Sequence, residues 1–574
     1  MKFLLKIPKH LTNREKKLLY TALFFSLIGA FLEMLGISLI LPFVAILFKN
    51  QIATDMNFLN ININDIVKFF ESVSPFLPFI LIIIVFLLKN LILFAFSWFN
   101  SHLINTLGSR LSNNVYQKYL NKDYKFHLAN NTSNLTFHSV EVADRYKDTI
   151  GHTFIIISEI LVILSLSCLM FFVEPKGFLI SLVFITVLSY LAFSLIKNSS
   201  MRWGKQVQNL DKQRYLELSH GYGGIKEIKI FKRINYFLNK YFSITSKRFK
   251  AMFFINVMNN LPRYLIETFF VLSLVVFIIY LKLSGKPDSE IFLILSLFGI
   301  SSIRLMPSFN RILSSLQKVK YGQVYVETID KIFSSEDNII NIKDFNQQNK
   351  QNENKIISFK NVHFEFPGKD KLTLQNVNLN IFNKDFVGIV GKTGSGKSTL
   401  INLLLGLHKP SSGKIETFYK NVGYVPQSIF LMDDTIINNV AYGIEENKID
   451  MNLVEDCIIK SQLKEFTDKL PDGLRTIVGE KGVRISGGEL QRLGIARALY
   501  HNPDLLVFDE ATNALDEKTE LVLVDLVKEL SRNITVIAIS HNVKSLKYCS
   551  RILRIENSIV IEEKNQTKKI GVES

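Results

Sequence analysis

The first 325 residues of the chain carry long apolar runs rich in Phe, Leu, Ile and Val. An α-helix needs about 20 apolar residues to cross a bilayer, so runs of this length predict membrane spans. Six spans are expected, and charge or proline interrupts the last two. They lie near Leu18–Phe48, Pro78–Phe99, Phe154–Val173, Phe178–Ile196, Phe269–Leu281 (with an apolar lead-in from Phe253) and Ile291–Ile303.

The pattern changes after these spans. Asp337–Lys355 is polar, rich in Asn, Gln and Lys and without periodicity, which predicts a linker. Short apolar strands alternate with helical patterns beyond it, and this alternation is typical of a soluble α/β domain. We therefore predict an all-α six-helix transmembrane domain at residues 1–330, a linker at 331–355 and an α/β domain at 356–574.

Basic residues give the chain a net charge of +17. Such a charge is compatible with nucleic acid, acidic lipid or an anionic substrate as a partner. Lysines and arginines crowd the segment before the first span and the long loops after the second and fourth spans. The positive-inside rule then places both termini and both long loops in the cytoplasm, which is the simpler source of the charge. We expect these loops to extend the membrane helices outward and to turn on short helices.

Several charged residues interrupt the apolar runs, among them Glu33, Lys89, Arg263, Glu267 and Arg304. A charge at the bilayer centre costs about 2.5–3.5 kcal/mol on insertion scales, so such residues usually face a protein interior or a wet cavity. In a cavity, the three cations favour an anionic group. The alternative is that they mark helix ends, reach the headgroups or pair with one another, as Arg263 and Glu267 can at a spacing of four on one helix face.

A glycine-rich turn follows the apolar run Phe386–Val390 and precedes a helical pattern. In a strand–turn–helix context, such a loop curls its backbone N–H groups around phosphate oxygens, and the helix N-terminus adds partial positive charge. Its lysine is expected to reach the terminal phosphates of a nucleotide, and the serine after it suits Mg²⁺. The loop consists of Gly391, Lys392, Thr393, Gly394, Ser395, Gly396, Lys397 and Ser398, followed by Thr399.

Acidic residues end a second apolar strand, which begins at Leu505. At the end of a buried parallel strand beside the phosphate loop, Asp509 suits Mg²⁺ or its bound water. Glu510 is then placed to orient and deprotonate the attacking water. His541 follows a further apolar strand and could donate to the γ-phosphate, although a lone histidine there is more often an ordinary residue.

Another glycine-rich helix start lies between the phosphate loop and the acidic strand. It consists of Ser486, Gly487, Gly488 and Glu489 and offers a second phosphate contact. One polypeptide cannot easily bring both loops to the same γ-phosphate, whereas two copies facing head to tail can. The expected partner is therefore a second copy of the chain.

The stretch from about Ile356 to Glu563 resembles the nucleotide-binding domain of ATP-binding cassette proteins, and the preceding spans resemble the membrane domain of the exporters among them. The phosphate loop resembles Walker A and the acidic strand Walker B. The resemblance implies an ATP hydrolase with ATP and Mg²⁺ as cofactors. It implies catalytic roles for Lys397, Gln427, Glu510 and His541, and a metal held by Ser398, Gln427 and Asp509.

The same resemblance assigns further positions. Gln427 matches the Q-loop glutamine, which senses Mg²⁺ and couples the nucleotide site to the membrane domain. Asp516 matches the D-loop. Ser486–Glu489 matches the signature loop, which binds the ATP of the partner. Phe366 falls where the family stacks an aromatic ring on adenine, and Thr476–Gly482 resembles the X-loop of exporters.

Three stretches of the membrane domain, Glu33–Phe43, Pro262–Glu267 and Arg304–Arg311, are similar to bacterial lipid-linked oligosaccharide flippases of the protein N-glycosylation type. In that group, basic membrane residues line a cavity for the pyrophosphate of the substrate. The resemblance implies substrate-binding roles for Lys89, Arg263 and Arg304, and a short external helix at Asp65–Val73. It also implies ATP-driven flipping of an anionic, polyprenyl-pyrophosphate-linked oligosaccharide across the bacterial inner membrane by a homodimer.

Two alternatives stay open at this point. An exporter of lipid, drug or peptide with the same fold would not need the three membrane cations. A soluble cassette ATPase of DNA repair or translation would explain the nucleotide motifs and the positive charge, but not the apolar spans.

Overall fold

The chain folds into two compact units in a computed structural model. One unit contains residues 1–121 and 129–337, and the other contains residues 122–128 and 338–574. Described are residues 12–38, 57–58, 61–62, 77–285, 288–334, 354–366, 372–479, 485–510, 517–540 and 546–564.

Long helices dominate the chain up to residue 334, and every helix there except the short one at Tyr124–Ala129 belongs to the first unit. In chain order the helices are α1 (Asn13–Ser38), α2 (Leu77–Leu120), α3 (Tyr124–Ala129), α4 (Thr132–Phe137), α5 (Ala143–Val173), α6 (Pro175–Gly223), α7 (Ile225–Ile230), α8 (Ile234–Leu283) and α9 (Asp288–Ser334). Two short strands, β1 (Asn57–Phe58) and β2 (Ile61–Asn62), pair antiparallel. Within this unit α5 packs along α9, α6 packs along α8, and α1 lies against α2 and α5.

Four of the described helical stretches are long and apolar enough to cross a membrane: Asn13–Ser38, Ile83–Leu120, Thr132–Val173 and Ile234–Leu283. They coincide with the first, second, third and fifth predicted spans, although residues 39–48 of the first lie outside the described residues. The fourth and sixth predicted spans fall on α6 and α9, which are not among the four. The count of six spans therefore stays a prediction.

Each predicted span that the structure describes in full is part of a longer helix. The second, expected to end at Phe99, continues as helix to Leu120, because its polar continuation contains no proline. The two long loops turn on the short helices α3 and α7, as expected. Residues 122–128 around α3 group with the second unit, where the ring of Tyr124 lies 6.0 Å from that of His408.

The second unit is an α/β structure, as predicted. Its strands are β3 (Lys355–Phe364), β4 (Leu374–Phe382), β5 (Phe386–Gly391), β6 (Ser412–Thr417), β7 (Val422–Val425), β8 (Asp434–Thr435), β9 (Ile477–Val478), β10 (Leu505–Asp509), β11 (Thr535–Ile539), β12 (Arg551–Glu556) and β13 (Ile559–Lys564). Its helices are α10 (Lys397–Leu404), α11 (Ile436–Val440), α12 (Met451–Lys460), α13 (Lys464–Asp468), α14 (Gly487–Tyr500) and α15 (Glu517–Leu530).

A six-stranded sheet of order β13-β12-β5-β11-β10-β7 forms the centre of this unit. All neighbours are parallel except β12 and β13. Alternate residues of β10 enter different cores: Leu505 and Val507 join one hydrophobic cluster, and Leu506 and Phe508 join the other. Burial on both faces explains why these strands are continuously apolar. Because both faces are buried, the polar residue of β10, Asp509, lies at the carboxyl end of the strand.

Glycine allows α9 to approach α5 closely. A Cβ atom at the buried Gly322 would lie 2.9 Å from the Cβ of Thr149, which is inside any contact that real side chains show. The Thr149 hydroxyl donates a 2.7 Å hydrogen bond to the Arg145 carbonyl, so turning the side chain away would break that bond. This contact is therefore specified by the absence of a side chain at residue 322.

We expect Gly322→Ala to lower the thermal unfolding midpoint of the purified full-length protein, because forced overpacking costs about 1–3 kcal/mol. Gly299→Ala, on the same helix α9, is the matched control. A Cβ at residue 299 would meet nothing within 4 Å. The control should unfold at or above the wild-type temperature, since alanine favours a helix over glycine. Equal midpoints for the two variants would contradict the predicted contact.

Candidate functional site

The phosphate loop connects β5 to α10 through two glycines in the left-handed region. Gly394 has φ +81° and Gly396 has φ +106°, a conformation that costs a glycine little and other residues much. Gly396 is the N-cap of α10, so Lys397 begins the helix. The Lys397 ammonium donates to the carbonyl oxygens of Gly391 at 2.9 Å and Lys392 at 3.2 Å. The predicted strand, turn and helix are therefore present in the expected order.

Two features of the loop fit a triphosphate. The Ser395 hydroxyl is buried and has no hydrogen-bond partner among the described residues, so it has an unused donor at the centre of the loop. A Cβ added at Gly394 would meet nothing within 4 Å, which shows open space beside the backbone. Ser398 is exposed and Thr399 buried in the first turn of α10, and Thr393 is exposed in the loop. The residues present thus fit the phosphates of ATP.

The acidic residues lie at the same edge of the sheet as the phosphate loop. β11 separates β5 from β10, and Ile539 is in register with both Ile389 and Asp509. Strands lie about 4.8 Å apart, so Asp509 ends its strand roughly 10 Å from the end of β5. Parallel strands direct their carboxyl ends to one edge, and ligands of open α/β sheets bind there.

Asp509 and Glu510 each have a specific partner. The Tyr424 hydroxyl donates to Asp509 at 3.0 Å, and the Gln427 side-chain amide donates to Glu510 at 3.0 Å. Burial raises the pKa of the Asp509 carboxyl, and the hydrogen bond from Tyr424 opposes that rise. Glu510 has φ +51°, a left-handed conformation that non-glycine residues adopt mainly where the surroundings require it. Gln427, Asp509 and Glu510 are thereby brought together, as the sequence predicted.

Mg²⁺ would be held here by Ser398, Gln427 and Asp509, together with phosphate oxygens of the nucleotide. Among the residues that the structure describes, no group of three or more His, Cys, Asp or Glu side chains forms a metal site of its own. A hydroxyl, an amide oxygen and one carboxylate are hard oxygen donors, which match the preference of Mg²⁺. Bound Mg²⁺ would neutralise charge on the phosphates.

The signature loop is a helix cap. The Ser486 hydroxyl accepts from the Glu489 backbone N–H at 3.4 Å, and the Glu489 carboxylate accepts from the Ser486 backbone N–H at 2.8 Å. This reciprocal capping box fixes the start of α14 with Gly487 and Gly488 in its first turn. The three-residue spacing of Ser486 and Glu489 is the sequence signal that could have predicted this capping box.

Other predicted positions are placed as follows. The ring of Phe366 packs edge-on against Phe364 and His408, with centroids 5.0 and 5.8 Å away. Asp516 and His541 lie outside the described residues, as does the end of the X-loop stretch from residue 480. The predicted external helix Asp65–Val73 is also outside them. Tyr424 was missed because nothing in its local sequence marks it as a partner of Asp509.

The charges within the membrane helices are paired. Glu33 of α1 accepts from Lys89 of α2 at 3.2 Å and from Arg304 of α9 at 2.8 Å. Arg263 of α8 pairs with Glu267 at 3.0 Å, and its side chain is 67 % exposed. Lys89 and Arg304 are therefore brought together, whereas Arg263 has its own local partner. Glu33 is the anion that Lys89 and Arg304 share, and nothing in its local sequence marks it as such.

Comparisons with known proteins agree with this architecture. The model described as "ABC transporter" matches residues 374–513, and the model described as "ABC transporter transmembrane region" matches residues 19–303. A "Putative export ATP-binding/permease protein" of Rickettsia bellii is 29 % identical over 82 % of this chain and 84 % of its own length. The "ATP-dependent lipid A-core flippase" of Escherichia coli K12 is 25 % identical over 82 % of this chain and 81 % of its own.

A solved structure shares the fold. It is titled "Structure of a bacterial Atm1-family ABC exporter with ATP bound", and the similarity covers 97 % of both chains with a TM-score of 0.79 at 19 % identity. A transmembrane domain joined to an ATP-binding domain in one chain defines an ATP-driven transport protein. The chain belongs to the ABC transporters, as a half-transporter whose ATPase is coupled to transport. The matched transmembrane region removes the soluble cassette ATPase as an explanation.

We expect Glu510→Gln to bind ATP and to lose hydrolysis. The amide keeps the size of the side chain but cannot accept a proton from water, and general-base catalysis contributes about 10²–10⁴-fold. The measurement is phosphate release by the full-length protein in liposomes, alongside binding of a fluorescent ATP analogue.

Glu529→Gln, at an exposed position of α15, is the control and should hydrolyse ATP at the wild-type rate. Undiminished hydrolysis by Glu510→Gln would remove Glu510 from the base role.

Proposed function

We propose that this ABC transporter flips an anionic, polyprenyl-pyrophosphate-linked oligosaccharide from the inner to the outer leaflet of the bacterial inner membrane. The observation that carries the proposal is the meeting of Lys89 and Arg304, from two different helices, at a single carboxylate. Two cations against one anion leave a net charge of +1 among apolar helices. An anionic headgroup is the cargo that such a charge favours, because unbalanced charge is costly there.

Arg263 adds to this proposal. Its side chain is two-thirds exposed, and among the described residues it pairs with Glu267 on its own helix. An anionic group can therefore reach Arg263 without separating two helices. Lys89, Arg263 and Arg304 remain our candidate substrate-binding residues.

The comparisons support a lipid as the cargo in general terms. The Escherichia coli relative named an ATP-dependent lipid A-core flippase aligns along most of both chains. A saccharide-bearing lipid with phosphate groups is consistent with both that name and the membrane cations. A related exporter of another lipid, drug or peptide is the competing proposal, and it predicts no dependence on the three cations.

The working unit in this proposal is a homodimer with six spans per subunit and with both termini and the nucleotide-binding units in the cytoplasm. Two ATP molecules with Mg²⁺ are sandwiched, each between Walker A of one copy and Ser486–Glu489 of the other. Asp516 and His541 complete the site, with Phe366 against adenine. Closing the sandwich reorients the cavity, and hydrolysis resets it. Lys397 would stabilise charge on the γ-phosphate, Mg²⁺ held by Ser398, Gln427 and Asp509 would supply further positive charge there, and Glu510 would activate water.

We expect the triple variant Lys89→Gln, Arg263→Gln, Arg304→Gln to flip a lipid-pyrophosphate oligosaccharide at least about 10-fold more slowly, because each lost charge contact to a phosphate is worth about 1.5–3 kcal/mol. Flipping is measured in proteoliposomes by protection of the saccharide from an external enzyme. ATPase stimulation by the same lipid is measured in parallel.

Lys448, Lys460 and Lys464, which are exposed on the second unit, supply the charge-matched control. Their triple glutamine variant should flip the lipid at the wild-type rate. Equal flipping by the two triple variants would favour the competing exporter.

A further inference from the structure

Glu33 is the shared partner of two cations from two other helices. Its carboxylate is 5 % exposed. One oxygen accepts from the Lys89 ammonium at 3.2 Å and the other from the Arg304 guanidinium at 2.8 Å. We call Glu33, Lys89 and Arg304 the ion triad. It joins α1, α2 and α9.

The surrounding helix faces are shaped to hold the ion triad. Gly29, Glu33 and Gly36 lie on one face of α1, since they are spaced by four and three residues. A Cβ at Gly29 would lie 2.9 Å from Leu93 of α2, so the two helices approach closely there. A Cβ at Gly36 would contact the stem of Lys89 at 3.6 Å, which shows that this stem lies across the glycine.

Lys89 is the more enclosed of the two cations. Its side chain is 9 % exposed, and its ammonium lies 4.6 Å from the ring centroid of Phe86. The ring face attracts the cation but cannot neutralise it, because an aromatic ring carries no net charge. Lys89 therefore needs an anion wherever it stays buried, and Glu33 is the anion that it has.

Arg304 has capacity beyond Glu33. A guanidinium carries five N–H donors. Its Nε is buried and has no hydrogen-bond partner in the part of the chain that the structure describes, while its side chain as a whole is 28 % exposed. An oxygen-rich anion reaching Arg304 would satisfy donors that one carboxylate oxygen leaves unsatisfied.

From these contacts we infer that Glu33 is an internal counter-anion: it is the anion that Lys89 and Arg304 share when cargo is absent, and an anionic headgroup binds by replacing it. The inference takes the class of headgroup, an anionic one, from the proposed function. It adds that Glu33 determines how much negative charge a headgroup needs in order to bind. A phosphodiester headgroup has one negative charge, no more than Glu33 supplies, so replacement gains little. A diphosphate has two or more and can neutralise both cations.

A second ion pair on α9 supplies a matched control. Glu159 of α5 is also buried and pairs with Arg311, with contacts of 2.6 and 3.2 Å to the two carboxylate oxygens. This pair balances one cation with one anion. Replacing Glu159 also leaves an arginine of α9 without its carboxylate, but it does not change the ion triad.

The test compares binding of a diphosphate and of a monoanionic headgroup to wild type, Glu33→Gln and Glu159→Gln. The full-length protein is held in phosphatidylcholine nanodiscs with saturating MgADP, which occupies the phosphate loop. The probes are farnesyl diphosphate, inorganic pyrophosphate and short-chain phosphatidylglycerol, and apparent dissociation constants come from the shift of the unfolding midpoint.

Wild type should bind farnesyl diphosphate at least about 10-fold more tightly than phosphatidylglycerol, a difference of about 1.4 kcal/mol. Glu33→Gln should bind both at least about 10-fold more tightly and should keep that ratio, because both ligands displace the same internal anion in wild type. Glu159→Gln should keep the wild-type affinity for both. If pyrophosphate shows the same gain in affinity, the free anion is sufficient; if only the farnesyl compound shows it, the lipid is the ligand. Either result supports the inference.

Unchanged or weaker anion binding by Glu33→Gln, or an equal gain in affinity by Glu159→Gln, would overturn the inference, and so would the absence of anion binding to every variant. If Glu33→Gln does not fold, Glu33→Asp retains the charge and retracts it by one methylene. Its weaker contacts with the two cations should let it bind both anions more tightly than wild type, and wild-type affinity would count against the counter-anion. Charge-selective binding without flipping of any lipid would refute the proposed cargo and leave the role of Glu33 standing.

Discussion

Charge in an apolar surrounding must be balanced, and this constraint decides how the membrane helices pack. The helix α1 is positioned by Glu33, which contacts Lys89 on α2 and Arg304 on α9. A second link, Glu159 to Arg311, joins α5 to α9 in the same unit. In a bilayer an apolar helix face gains no hydrophobic free energy by leaving lipid for another helix. Polar contacts and close approaches at glycines therefore specify which faces meet. Gly29, Gly36 and Gly322 supply those approaches here.

The second unit depends on a different constraint, the common direction of its central strands. Because β5, β10 and β11 are parallel and in register, their carboxyl ends bring the phosphate loop and the acidic pair to one edge. Asp509 then receives a hydrogen bond from Tyr424, which lies in β7, and Glu510 receives one from Gln427, which lies just after β7. The sheet thus brings together residues that are far apart in sequence, so that their side chains contact one another directly.

How far the sequence predicts the molecule depends on how local each feature is. The phosphate loop was predictable in full, because eight consecutive residues determine its turn, and Gly394 and Gly396 allow the positive φ that the turn requires. The ends of the spans were not, since hydropathy marks the apolar part of a helix and α2 continues as polar helix to Leu120. Glu33 was visible as a charge in an apolar run, but its two partners depend on which faces of α1, α2 and α9 meet. Pairings of that kind follow from tertiary packing, which single-sequence patterns do not encode.

The phosphate loop and the ion triad stabilise their cations in different ways, and this difference affects which ligands each site selects. Lys397 rests on the neutral carbonyl oxygens of Gly391 and Lys392, whereas Lys89 and Arg304 rest on the full charge of Glu33. A carbonyl oxygen carries no full charge, so a nucleotide phosphate displaces it readily by offering the ammonium a full opposite charge. Releasing two buried cations from a carboxylate demands an anion that compensates both. A transporter built this way takes its fuel with little competition from its own residues and admits cargo only when the cargo carries enough charge.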